Sequence, residues 1–393
     1  MTISNASPSG ETESSEFYGT TLLECHATPG LTLMQPRKYL FYMPALIGGG
    51  AERVWALLAS EFARRGHDVT FAVDYDAAEN ETFVNPSVKR ITLPKGHLGA
   101  TLGLARLLMT LKPDVSLSGL GVANLKHMIA ALMTGRHRRA VISFHGFFAS
   151  EPQFLSRLGN RLTPLFTRAC GRAVTVSDGL RNTLIASHGA SARRLMRIYN
   201  PVYRAEGDHA RPDAAALAAR APIVLFVGRL NVDKDLPTLL AAFARVTHGG
   251  ATLSIVGDGP LRADLEREAA RLGIAGRVRF EGYVRDPSTA YRQARCLVLT
   301  SKRESFGNVV AEALDHGLPV VTTATDGPSE ILEHGRFGEV VPIGDAGAIA
   351  HAIDKALAEP GDPAPRMAHA AAFAVDRATD AYLAMAEAVI AEA

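Results

Sequence analysis

The chain has 393 residues, too many for one hydrophobic core and enough for two domains of about 150–200 residues each. Its composition, 47% apolar and 21% charged, excludes a disordered polymer. Three distant cysteines (Cys25, Cys170 and Cys296) and a net charge of only +2 exclude a disulfide framework and a uniformly basic chain.

Residues 1–36 open with MTISNASPSGETESSEF, which reads as a disordered tail. The stretch has acidic residues and no basic n-region, so it does not read as a secretory signal. No apolar run reaches the ~18–20 residues of a spanning helix, and the expected location is the cytoplasm. Order begins with RKYLFYMPALIGGG, a strand over residues 39–43 that runs into Gly48, Gly49 and Gly50. Val54, Leu57, Leu58 and Phe62 then recur at helical spacing, and DVTFAV is the next strand. This is a βαβ unit with a glycine-rich first turn. DVSLS, AVISFHG and AVTVS continue the alternation.

Between the last two strands lies EPQFLSRLGNRLTPLFTRA. Phe154, Leu155, Leu158, Leu162, Leu165 and Phe166 share one helical face, and Arg157, Arg161 and Arg168 fall on the other. The ordinary meaning of such a stripe is a core-facing helix; an interfacial helix is the alternative. Residues 126–197 carry twelve Lys and Arg against two acids (Glu151 and Asp178), a net +10. That segment is either a solvated face or a contact with an anionic partner, an inner-membrane surface or a lipid diphosphate. No nucleic-acid motif accompanies it, so no nucleic acid is expected.

A polar stretch, IYNPVYRAEGDHARPDAAALAARAP, divides the chain. Residues 37–203 form the first α/β domain and residues 204–373 the second. A C-terminal helix over residues 374–393 is placed to cross back to the first domain, and the sequence is helical throughout its last 26 residues. In the second domain PIVLFVG, ATLSIVG, VRFEG, CLVLTS, PVVTT and GEVV are near-continuous apolar strands, the mark of a parallel sheet covered on both faces. GDGPLR is a turn rather than a dinucleotide fingerprint, so a nicotinamide dehydrogenase is not supported.

Doubly wound sheets bind ligands at the carboxyl ends of their strands. GRLNVDKD puts Arg229 and Lys234 there: a bidentate fork and a point charge, suited to a diphosphate. After CLVLTS comes KRESFGNVVAEAL. Glu304 stands before a glycine-containing helix start, where free amides bind phosphate, and Glu312 lies two turns on among apolar neighbours. Glu304 is either a helix cap or a ligand for sugar hydroxyls.

Arg229, Lys234 and the pair Glu304-x7-Glu312, with IVGDGPLR, EGYVRD and GLPVVTT in order, resemble the retaining glycosyltransferases of family 4. The resemblance covers the chain from about residue 37 and is strongest over residues 222–343. It implies an α/β GT-B fold, two facing Rossmann-like domains with a cleft between them. It implies that Arg229 and Lys234 hold the donor diphosphate and that Glu304 binds the donor sugar. The backbone of Phe306, Gly307, Asn308 and Val309 would contact sugar and phosphate, and Glu312 the ribose. Tyr283 and Val284 would lie where the base stacks, the Gly48, Gly49, Gly50 turn would approach the diphosphate, and His145 would reach the sugar. No metal is required on this reading; the donor is a nucleotide diphosphate sugar, and the acceptor a glycan or polyprenyl-diphosphate-linked glycan. TDGPSEIL, with Gly327, Pro328 and Glu330, departs from the Gly-rich turn of many members and points toward a UDP-linked donor. Two alternatives stand beside this. A sugar phosphorylase would need a pyridoxal phosphate lysine, and none is identifiable; a non-catalytic partner subunit would have lost Glu304 or Lys234.

Overall fold

The computed structural model describes residues 35–77, 80, 83–146, 154–202 and 212–393. The expected disordered tail lies, up to residue 34, outside the described residues, as do residues 203–211 of the polar divider. From Pro36 to Ala393 the chain forms one compact unit. Its first half alternates β1 (Lys38–Met43), α1 (Gly50–Arg64), β2 (Asp68–Val73), β3 (Lys89–Thr92), α2 (His97–Leu111), β4 (Val115–Gly119), α3 (Gly121–Met133), β5 (Ala140–Phe144), α4 (Phe154–Arg161), α5 (Thr163–Ala169), β6 (Arg172–Thr175), α6 (Asp178–His188) and β7 (Leu195–Arg197). Its second half runs α7 (Ala214–Ala218), β8 (Ile223–Val227), α8 (Leu236–Phe243), β9 (Thr252–Val256), α9 (Arg262–Arg271), β10 (Val278–Gly282), α10 (Ser288–Gln293), β11 (Cys296–Leu299), α11 (Asn308–Asp315), β12 (Val320–Thr323), α12 (Asp326–Ile331), β13 (Glu339–Val341), α13 (Ala346–Ala358), α14 (Ala364–Ala370) and α15 (Val375–Glu392).

Among the described residues the strands form two parallel sheets, ordered β3-β2-β1-β4-β5-β6-β7 and β10-β9-β8-β11-β12-β13. Apolar strands explain this arrangement. Tyr39, Leu40, Phe41, Tyr42 and Met43 of β1 are all buried, as are Leu297, Val298 and Leu299 of β11. A strand covered on both faces must be flanked by helices on both, and such sheets are parallel. In each sheet the strand order reverses once, between β1 and β4 and between β8 and β11. Those two switch points are where crevices open.

The C-terminal segment is helical with one break: Ala374 takes an extended conformation between α14 and α15. Beyond it α15 packs on the first sheet's side of the molecule. Tyr382, Leu383, Met385 and Val389 share a core with Phe41, Trp55 and Phe62. Arg37 holds Glu387, Arg65 holds Asp380, and Arg172 and Arg194 hold Glu392.

The stripe read as core-facing is so only in part: Phe166 is buried in the core, and Leu155 and Leu162 pack against it half-buried. The segment is two short helices, α4 and α5, because Pro164 interrupts the ladder. Much of the remaining inward surface is small: Ser156, Gly159 and Thr163 are buried too. A Cβ on Gly159 would lie 3.1 Å from the Gly121 carbonyl, so this face is selected for close approach to α3. Phe154 is 77% exposed, and Leu158 and Leu165 are exposed too. The basic segment is also divided. Lys126 is buried on Asp74, Arg139 faces Asp114, and Arg197 faces Asp178 and Glu330. Arg138, Arg157, Arg161 and Arg168 are exposed.

Candidate active site

The loops that leave β8 and β11 sit side by side at the second sheet's switch point. They are laced together: Lys302 N–H donates to the Asp233 carbonyl at 2.8 Å, and Thr300 Oγ1 donates to the Lys234 carbonyl at 2.9 Å. Arg303 reaches Asp233 at 2.8 Å and Lys302 reaches Asp235 at 3.1 Å. Asp235, buried with φ 49°, sits in the left-handed region that Asp tolerates and bonds Thr238. This lacing fixes the 3₁₀ turn Val232–Lys234, and the Lys234 ammonium donates to the Glu304 carboxylate. Both side chains keep some contact with solvent. The Glu304 backbone is held as well, since its carbonyl accepts from Gly327 N–H at 3.2 Å.

The cap reading of Glu304 is thereby settled. The N-cap of α11 is Gly307, with φ 89°, and no side chain caps it. That backbone conformation favours glycine. Glu304 pairs with Lys234 instead, and the first amides of α11 have no side-chain acceptor, the arrangement that binds anions. Phe306 has a buried ring packed on Tyr199 (5.7 Å) and Phe373 (5.8 Å), so it presents only backbone. Val309 is half-buried.

Asn308 and Glu312 reach across to the first half. Asn308 Nδ2 donates to the Gly50 carbonyl at 3.3 Å and its Oδ1 accepts from Asn200 at 2.9 Å. A Cβ on Gly50 would come within 2.9 Å of Asn308 Nδ2. Glu312 accepts from Tyr291 Oη at 2.7 Å and lies 3.6 Å from Arg53 of α1. Burial raises its pKa, while Arg53 and Tyr291 oppose the shift. Tyr283 and Val284 are exposed, and a Cβ on Gly48 would sit 3.0 Å from the Tyr283 ring. Gly49 caps α1, with the Glu52 carboxylate against it. Burial raises the Glu52 pKa and the Arg229 charge opposes it, which places exposed Arg229 near the start of α1. His145 directly follows β5, and the Trp55 indole N–H donates to its Nε2.

One wall thus carries Arg229, Lys234, Glu304 and the α11 amides, and the facing wall carries the Gly48, Gly49, Gly50 turn. Sequence reading did not find Arg53, Trp55, Asn200 or Tyr291. Glu330 accepts from Asp178 N–H at 2.8 Å and lies 3.7 Å from Arg197, joining α12 to α6. Among the described residues no cluster of His, Cys, Asp or Glu has the makeup of a metal site.

Comparison with known proteins decides the family. A model described as Glycosyl transferases group 1 matches residues 221–359, and one described as Glycosyltransferase Family 4 matches residues 48–206. The lipopolysaccharide core biosynthesis glycosyltransferase LpsE of Rhizobium meliloti is 30% identical over 333 residues, 79% of this chain and 86% of that one. The chain belongs to the family 4 glycosyltransferases. A Mycobacterium tuberculosis GDP-mannose-dependent phosphatidylinositol dimannoside mannosyltransferase is 27% identical over 81% of this chain and 86% of that one. The fold is GT-B. Anabaena HepE, solved with UDP and glucose, superposes with a TM-score of 0.73 at 22% identity, covering 88% of this chain and 98% of that one. Among the described residues of this glycosyltransferase no helix is long and apolar enough to cross a membrane.

Proposed function

We propose that this glycosyltransferase moves a hexose or N-acetylhexosamine, with retention, from a nucleoside diphosphate sugar (UDP-linked) to a hydroxyl of a glycan or lipid-linked acceptor in cell-surface polysaccharide or lipopolysaccharide synthesis. The observation that carries the reading is the Lys234–Glu304 pair beside the uncapped α11 start at a switch point. Arg229, Lys234 and the amides of Phe306, Gly307, Asn308 and Val309 hold the diphosphate. Glu304 accepts hydrogen bonds from sugar hydroxyls, and His145 reaches the sugar from the other wall. Glu312 takes the ribose diol, with Arg53 giving way as the nucleotide enters, and Tyr283 and Val284 flank the base.

In the transfer the bond between the anomeric carbon and the phosphate oxygen breaks, and the acceptor oxygen bonds that carbon from the same face. The acceptor proton passes to a phosphate oxygen of the leaving diphosphate. Arg229, Lys234 and the α11 amides stabilise the negative charge that grows there. The apposed walls exclude water and so suppress donor hydrolysis. UDP in HepE and GDP-mannose dependence in the mycobacterial relative are properties of those proteins; they bracket the bases to be tried here.

The acceptor side is the first domain. Leu98, Leu102 and Met109 of α2, Leu132 and Met133 of α3 and Phe154 of α4 are exposed. These helices pack in sequence, α2 on α3 and α3 on α4. A cavity of about 880 Å³ borders this face, lined in part by Phe154, Arg157, Leu158, Arg161 and Pro164. Apolar residues ringed by arginines suit an anionic lipid surface, the inner face of the plasma membrane, carrying a polyprenyl diphosphate.

Two experiments test this. In a screen of radiolabelled nucleotide sugars against lipid-linked acceptors, one donor is expected to transfer, with undiminished rate in EDTA. Loss of activity in EDTA, restored by magnesium, would contradict cation-free diphosphate binding. In flotation with phosphatidylcholine vesicles, the protein is expected to bind only when phosphatidylglycerol is included, and Phe154→Glu with Leu98→Glu to abolish binding. No binding to anionic vesicles at low salt would remove the membrane from the account.

A further inference from the structure

His145 stands where β5 reaches the cleft. The Trp55 indole N–H donates to His145 Nε2 at 3.0 Å. An indole nitrogen can only donate, so Nε2 must present its lone pair. The Ser143 hydroxyl lies 3.1 Å from the same nitrogen, and Tyr382 of α15 hydrogen-bonds Ser143 in turn. A proton on Nε2 would set two N–H groups head to head. The imidazole is therefore neutral, with its proton on Nδ1. Burial acts in the same direction and lowers its pKa to about 4, with Asn200 opposing. Nδ1 is shut off from water without a well-formed hydrogen bond, and the Asn200 side chain, which bonds Asn308 across the cleft, is the further polar group acting on the ring.

The indole is itself fixed. Trp55 is fully buried, edge-on to Phe41 at 5.4 Å and to Tyr382 at 6.4 Å. At the end of β4 a Cβ on Gly119 would fall 2.2 Å from Trp55 Nε1, so the strand is bare where the indole nitrogen sits. Four elements (α1, β4, β5 and α15) thus converge on one nitrogen of one histidine. Simple packing does not require an N–H there.

We propose that Trp55, seated over Gly119, is the positioning residue for His145: it locks the imidazole as the neutral Nδ1–H tautomer, so that the ring meets the donor sugar without a positive charge. This rests on His145 facing the donor sugar. Glycosyl transfer builds positive charge on the sugar ring, and a neutral imidazole beside the ring does not oppose that charge.

The test is nitrogen-15 NMR of histidine-labelled full-length protein between pH 5 and 8, with the His145 signals assigned by their loss in His145→Gln. Wild type is expected to show the Nδ1–H tautomer and no titration. Trp55→Phe keeps a ring and loses the donor; Gly119→Ala keeps the donor and displaces it. Both are expected to show mixed tautomers and a titration raised by at least about one pH unit, while melting as folded proteins and binding UDP as wild type does. An Nε2–H signal in wild type, or unchanged tautomer and titration in Trp55→Phe, would overturn the lock. Undiminished transfer by His145→Gln would instead overturn the role given to His145, and so the two failures are told apart.

Discussion

Replacing Lys234 by alanine is expected to lower transfer by one to two orders of magnitude with little change in melting temperature. The ammonium pairs with Glu304, and in the proposed site it is the second cation on the diphosphate. Its loss removes a charge-assisted contact of about 1.5–3 kcal/mol, which is about 10- to 150-fold in rate. The turn that carries it does not depend on the side chain, because Thr300 holds the Lys234 carbonyl and Lys302 holds the Asp233 carbonyl. Glu304 keeps solvent contact and the Ser301 hydroxyl at 3.4 Å, so it is not stranded. Steady-state rates and a thermal melt check both halves of the expectation. Near-normal turnover would remove Lys234 from the site.

Glu304 and Glu312 are expected to fail differently. Glu304→Gln keeps the size of the side chain and removes the charge that strengthens bonds to sugar hydroxyls. It lowers the rate of transfer and leaves nucleoside diphosphate binding nearly unchanged, because that product carries no hexose. Glu312→Ala weakens diphosphate binding, since the ribose is common to donor and product. It also lowers the melting temperature: Tyr291 Oη loses its 2.7 Å partner in the interior, a cost of about 1–3 kcal/mol. Glu312→Gln separates the two effects, for it still accepts from Tyr291 while it loses the attraction of Arg53, 3.6 Å away. Equal weakening of diphosphate binding by Glu304→Gln and Glu312→Gln would make the pair structural.

Much of this architecture was legible from residue patterns. Continuous apolar runs gave β1, β8 and β11, and glycines marked the turns that follow β1 and precede α11. The pair Arg229 and Lys234 and the spacing Glu304-x7-Glu312 marked one wall. The edge strands β3 and β7 were not legible, because KRIT and LMR are short and half-exposed, with little hydrophobic signal. The inward face of α4 was misread in part, since close helix approach is made by small residues, Ser156 and Gly159, and leaves Phe154 and Leu158 outside. Arg53, Trp55, Asn200 and Tyr291 act through partners far away in the chain, at Glu312, His145 and Asn308. Local periodicity contains nothing of such pairings; each resembles an ordinary helix or loop residue until the two sheets face each other.

The central claim is that the two switch points form a cation-and-amide site for a nucleoside diphosphate. Calorimetric titration of UDP and GDP into the full-length protein in EDTA tests it most directly. The account predicts saturable binding of one of them to wild type, weakened at least about tenfold in Lys234→Ala, as expected for the loss of one charge-assisted contact. Binding of neither diphosphate, or equal binding by wild type and Lys234→Ala, would contradict it.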